Sequence, residues 1–115
     1  MREIVFDTET TGLDSRLDRI IELGGVELVN RFPTGRTFHE YINPEGREVH
    51  PDALAVHGIS NSDLTGKPVF SQVAERFLEF IEGAMLVAHN ANFDIGFINA
   101  ELARLDREFI APDRV

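Results

Sequence analysis

The sequence predicts an α/β chain in which a mixed sheet is flanked by helices. Three observations carry this. The first half holds three strand-like apolar runs with short connections, and the second half changes to helical periodicity around one short apolar run. A length of 115 residues suffices for one domain and leaves no room for two. Ile4-Val5-Phe6 is the first strand-like run, followed by the polar cluster Asp7 to Gly12. Ile20 to Val29 is the second, where Gly24-Gly25 marks a bulge or a close backbone approach. Arg36 to Ile42 is the third, followed by an Asn43-Pro44-Glu45-Gly46 turn, and three such runs in succession suggest an antiparallel meander.

Beyond the turn, Pro51 suits the first turn of a short helix through Ala53, Leu54 and Val56. Pro68 suits the start of a longer one, in which Val69, Val73, Phe77 and Ile81 recur every four residues and Gly83 ends it. Ala84 to Ala88 is a candidate for a buried strand. Asn90 or Asn92 then caps a helix whose apolar face includes Ile95, Ile98, Leu102 and Leu105. Phe109 to Val115 resembles the approach to a further element, so the expectation is a sheet cut short at the C-terminus.

The hydrophobic share of 43% and charged share of 27% suit a globular chain rather than a disordered one. No apolar run approaches the ~20 residues of a membrane span, and Met1 is not followed by a charged leader and apolar core of a signal peptide. The absence of cysteine excludes disulfides and thiolate metal sites and suits a cytoplasmic protein. The formal charge of −9 is shared by both halves of the chain. That excludes a module holding nucleic acid by a broad basic patch, because such modules gain affinity by neutralising phosphates. A nucleic-acid enzyme stays open, since divalent cations bridge acidic side chains to phosphate oxygens.

Asp7 and Glu9 carry the first sign of chemistry. Alternate residues of a strand share a face, which sets these carboxylates roughly 6–7 Å apart. Such a pair repels itself unless a cation lies between or one member keeps its proton. Carboxylates without nitrogen or sulfur partners favour Mg²⁺ or Mn²⁺ over zinc. Asp94 falls in the first turn of a helix after an apolar strand, where the helix dipole favours an anion. Were the strands Ile4–Phe6 and Ala84–Ala88 parallel neighbours, Asp7, Glu9 and Asp94 would converge beyond their carboxyl ends. Taken singly, each acid is equally an ordinary turn or helix-start residue.

The longer runs are more specific. Phe6-Asp7-Thr8-Glu9-Thr10-Thr11-Gly12-Leu13 resembles the first motif of the DnaQ-like (DEDDh) 3′–5′ exonucleases, and His89-Asn90-Ala91-Asn92-Phe93-Asp94 resembles their second. Val56-His57-Gly58-Ile59 resembles a signature of the branch containing the proofreading epsilon subunit of bacterial DNA polymerase III. Ile20 to Glu27, Asn30-Arg31 and Phe93 to Phe97 are similar to that branch as well, so the resemblance spans Ile4 to Leu105.

The resemblance implies a ribonuclease H-like fold and two bound ions, Mg²⁺ or Mn²⁺, held by Asp7, Glu9 and Asp94. It implies that Asp7, Glu9, Thr10, Leu13, Asp52, His57 and Phe93 meet the terminal nucleotide of a single-stranded or frayed DNA 3′ end. A DNA polymerase catalytic subunit is the implied partner, and no membrane is involved. The family's third motif, His-x-x-x-x-Asp, supplies a general base and a fourth acid. His89 and Asp94 have that spacing, but their neighbours are those of the second motif, so no catalytic histidine is named. Residues 1–115 are therefore expected to be the N-terminal part of one exonuclease domain, impaired in catalysis by itself. Two alternatives remain at this point: a non-catalytic exonuclease-like module that binds a polymerase, and a relative that trims RNA.

Overall fold

The structure is a computed structural model that describes residues 1–115. Its elements follow the order β1 (Arg2–Thr10), β2 (Ile20–Val29), β3 (Phe32–Tyr41), α1 (Pro51–His57), α2 (Phe70–Ile81), β4 (Met85–Val87) and α3 (Ala91–Arg104). The four strands form one sheet in the order β3-β2-β1-β4. β1, β2 and β3 pair antiparallel as a meander, and β4 lies parallel to β1. The predicted mixed sheet is therefore present, with β1 in its interior.

β1 runs further than its apolar triplet. It continues through Asp7 and Glu9 to Thr10, because the backbone stays paired with β2 as far as Thr10↔Ile20. Its side chains alternate: Ile4, Phe6, Thr8 and Thr10 are buried, whereas Val5 and Asp7 lie on the other, open face. Glu9 shares that second face and is half-buried. β3 starts four residues earlier than Arg36, since Phe32 and Pro33 pair with Val29 and Leu28, and Ile42 lies beyond its end.

The irregular pairings fall between Glu9 and Thr10 and between Val26 and Leu28, not at the glycine pair. Gly25 is instead the site of a close approach. A Cβ there would stand 3.1 Å from Phe80 Cε2 and 3.2 Å from Ile4 Cγ2, so the glycine lets α2 settle on the sheet.

α2 supplies more of the core than any other element. Phe70, Val73, Ala74, Phe77, Phe80 and Ile81 are all buried along one side, the spacing expected for an amphipathic helix. Pro68 is not its first residue. Val69 precedes the helix in extended conformation, and its N–H donates to the Gln72 side chain at 3.1 Å. α3 adds Phe97, Ile98 and Leu102 to the same core, with Ile95 and Leu105 partly buried against it. Asn90 is its N-cap residue, although its side chain makes no capping bond. A second small cluster of Ile21, Val49, Ile59 and Leu64 seats the segments on either side of α1. α1 itself buries none of its residues; Leu54 and Val56 are exposed, which frees one side of the helix for a cleft.

Candidate active site

The carboxyl ends of β1 and the first turn of α3 meet, as the parallel pairing of β1 with β4 requires. Asp94 is 5% exposed, and the Thr8 hydroxyl donates to its Oδ1. The bond joins the core face of β1 to the start of α3. Burial pushes the Asp94 carboxyl above its ordinary value; the Thr8 bond opposes this and the charge of Asp7 adds to it. Glu9 is also pushed up, first by burial, then by Asp7, with smaller contributions from Glu22 and Asp94, against a lowering by His57. The charge of Asp7 thus reaches both Glu9 and Asp94, and that of Asp94 reaches Glu9. No three His, Asp or Glu side chains are close enough to enclose a metal ion as they stand.

A cavity of about 550 Å³ opens beside these acids. Glu9, Thr10 and Leu13 form one side, Asp52, Val56 and His57 of α1 the other, and Phe93 of α3 also lines it. Every nucleotide-contacting residue expected from the sequence therefore lines one cleft, except Asp7. Asp7 lines an adjoining depression with Glu9, Glu22 and His39, and Thr8 and Glu9 border both. Leu13 and Val56 are 86% and 83% exposed, two apolar side chains projecting at the cleft without cover.

His57 is tied at both nitrogens. Ile59 N–H donates to Nδ1 at 3.0 Å, so Nε2 carries the proton and donates to the Thr10 carbonyl at 3.1 Å. The other histidines are otherwise engaged: His39 Nε2 meets Glu22 at 2.6 Å, and His50 Nδ1 caps α1 by accepting Asp52 N–H at 3.0 Å. His89 precedes α3 and makes no side-chain hydrogen bond that would tie it to Asp94.

The sequence reasoning passed over the residues that brace the cleft. Asp18 is 6% exposed and accepts from Thr11 Oγ1 at 2.9 Å, Asp14 N–H at 3.1 Å and Arg47 Nε at 3.0 Å. Burial works against its charge, but the Asp14, Arg47 and Thr11 bonds prevail and hold the carboxyl below its ordinary value. Glu101 is buried in α3 and accepts from Arg19 Nε at 3.0 Å and from Ile20 N–H at 3.0 Å, fastening α3 to the start of β2. Glu101 follows Ile98 by three residues and precedes Leu102, so an acid at the edge of the helix's apolar face was the available signal. Nothing local distinguished Asp18.

The sheet order and its helical flank define the ribonuclease H-like class of folds. The chain superposes on Escherichia coli exonuclease I in its metal-free single-stranded DNA complex with a TM-score of 0.85 at 18% identity, covering 93% of this chain and 24% of that one. The zinc ion-bound form of that complex matches with the same TM-score of 0.85, at 18% identity and the same coverage, 93% and 24%. The exonuclease family model (RNase T) matches residues 4–113, and the chain belongs to that family. It is 55% identical over 108 residues to the DNA polymerase III subunit epsilon of Rickettsia felis, covering 93% of this chain and 47% of that protein. It is 49% identical over 112 residues to the subunit epsilon of Escherichia coli K12, covering 93% and 46%. The chain thus spans about half the length of these relatives. No helix is long and apolar enough to cross a membrane.

Proposed function

We propose that residues 1–115 carry the metal-binding and nucleotide-binding part of a proofreading 3′–5′ exonuclease that shortens DNA from its 3′ end. The observation that carries this is the adjacency of the Asp7–Glu9–Asp94 acids to a cleft lined by Thr10, Leu13, Asp52, His57 and Phe93. The donor set fits a hard divalent cation: three carboxylates, two of them, Glu9 and Asp94, pushed up by burial and by the charge of Asp7, without cysteine and with no histidine free among them. Mg²⁺ or Mn²⁺ bound there, as two ions, would supply Lewis acidity and an activated water.

The chain's own residues do the rest. Thr8 fixes the Asp94 carboxylate, and the Thr10 carbonyl of β1 holds the His57 ring, tying the end of α1 to β1. Leu13, Val56 and Phe93 offer apolar surface to a sugar and base. With Nδ1 accepting and Nε2 donating, His57 orients a nucleotide and has no free nitrogen with which to deprotonate water. The general base is absent from these residues, so their own turnover is slow. The substrate is a single-stranded or frayed DNA end delivered by a polymerase subunit, which suits an acidic surface that does not capture DNA by charge. Epsilon subunits as the relatives named above favour this over RNA trimming or a purely structural role.

The test is product recognition. Cleavage that releases a nucleotide from a 3′ end leaves its phosphate on the 5′ oxygen. With Mn²⁺ present, thymidine 5′-monophosphate should raise the melting temperature, while the 3′-monophosphate should not. Equal shifts for both isomers, or none for either, would refute the proposal.

A further inference from the structure

The cleft described above is acidic, with Glu9, Asp14, Asp18 and Asp52 on its walls, yet its ligand is an anion. Arg47 is the one arginine or lysine among the lining residues. It stands in the segment between the Asn43–Gly46 turn and α1, with its side chain 46% exposed. Its Nε is taken by the buried Asp18 carboxylate at 3.0 Å. Its two terminal nitrogens donate to no group of the chain.

The arrangement is specific. A buried carboxylate, itself locked by Thr11 and Asp14, pins the inner edge of a planar guanidinium. The outer fork keeps its donors. Guanidinium forks match phosphate oxygens two at a time, and prior anchoring lowers the entropy lost on binding. Ordinary surface arginines of this chain are spent differently: Arg76 on Glu40, Arg16 on Asp14, Arg104 on Glu101 and the carbonyls of Ser15 and Arg16.

From this geometry we infer that Arg47 is a phosphate-binding residue of the cleft, anchored by Asp18 and gripping a backbone phosphate of the bound strand. The inference rests on the proposed function, because it requires a nucleotide strand in the cleft. It assigns Asp18 a role as well: positioning the guanidinium and keeping it from folding onto the neighbouring acids.

Counterion release separates a phosphate contact from a structural one. Each phosphate neutralised on a single strand contributes about 0.7 to the slope of log affinity against log salt. The probe is a short oligothymidylate with phosphorothioate linkages at its 3′ end, titrated at several NaCl concentrations with Mn²⁺ fixed. Arg47→Gln should bind about tenfold more weakly at low salt and lose about 0.7 from that slope. Arg47→Lys keeps the charge without the fork, so it should retain the slope with intermediate affinity. Weaker binding by Arg47→Gln with an unchanged slope would make the residue structural and overturn the inference. So would unchanged binding, or a lysine variant with the slope of the glutamine one. Failure of the unaltered chain to bind the oligonucleotide would instead overturn the proposed function, and the inference with it.

Discussion

Gly12 is where the cleft wall is most exposed to perturbation. A Cβ at this position would stand 2.4 Å from Asp18 Oδ2, 2.7 Å from its Cγ and 2.9 Å from Oδ1. Those atoms end a short side chain that is buried and held from three directions, so it cannot swing aside freely. Relieving the clash requires a displacement on the order of 1 Å, enough to break the 3.1 Å bond from Asp14 N–H and stretch the bonds from Thr11 and Arg47. Hydrogen bonds to charged groups contribute about 1.5–3 kcal/mol each, so losing the one from Asp14 costs about 1.5–3 kcal/mol. Replacing glycine by alanine returns about 0.4–1 kcal/mol through the unfolded chain. Gly12→Ala should therefore destabilise by about 0.5–2.5 kcal/mol in urea unfolding, with an unchanged m-value. In an Asp18→Ala background the obstacle is gone, and Gly12→Ala should cost less than about 0.5 kcal/mol. Equal costs in the two backgrounds would refute the reasoning, since Asp18 would then not be what the glycine accommodates.

Phe77 is fully buried and meets Phe38 edge-on at 5.5 Å between ring centroids, so Phe77→Ala should cost about 3–5 kcal/mol in the same assay. His57→Ala forfeits the bonds to Thr10 and Ile59, costing about 1–2 kcal/mol, yet it should weaken thymidine 5′-monophosphate binding, read by calorimetry, by about tenfold. Asp18 sits below its ordinary value when folded, so its stabilisation is present above the unfolded carboxyl value and disappears as pH falls through the lowered one. Asp18→Asn should flatten that acid limb in urea midpoints measured from about pH 5 down to about pH 2. Glu9 and Asp94, shifted upward, act in the opposite sense, their stabilisation being lost as pH rises through their raised values.

The meander and both long helices were legible in their apolar runs and helical spacing, whereas the parallel pairing of β4 with β1 was only a condition that the sequence left open. What misled was local. Asp7 and Glu9 looked like the end of a strand, but strand pairing depends on the backbone and on β2, so polar residues continue β1 to Thr10. Pro68 looked like a helix start, while the Val69–Gln72 bond places that start at Phe70. α1 was legible as a helix, but not that Val56 would line an open cleft and Leu54 stand exposed, because α1 packs through Ala53 and its flanking segments alone. The proposed site acids and His57 were singled out through their motifs, in runs of neighbouring residues. The Asp18 brace was not, since Asp18 meets Arg47 across a fold that no local pattern encodes.

Manganese binding tests the central claim most directly, because it asks whether Asp7, Glu9 and Asp94 act as one site. In the metal-free protein these carboxylates repel, and a cation that binds only the folded chain stabilises it by about 2.7 kcal/mol at a hundredfold excess over its dissociation constant. Mn²⁺ should raise the melting temperature of the unaltered chain, and more than Mg²⁺ at equal concentration, following the usual affinity order. Glu108→Gln, at an exposed position away from the site, should leave that rise intact. Asp7→Asn should abolish it while leaving the metal-free protein as stable or more so, having lost one repelling charge. An equal Mn²⁺-dependent rise in Asp7→Asn and in the unaltered chain would contradict the account, because the cation would then be bound somewhere else.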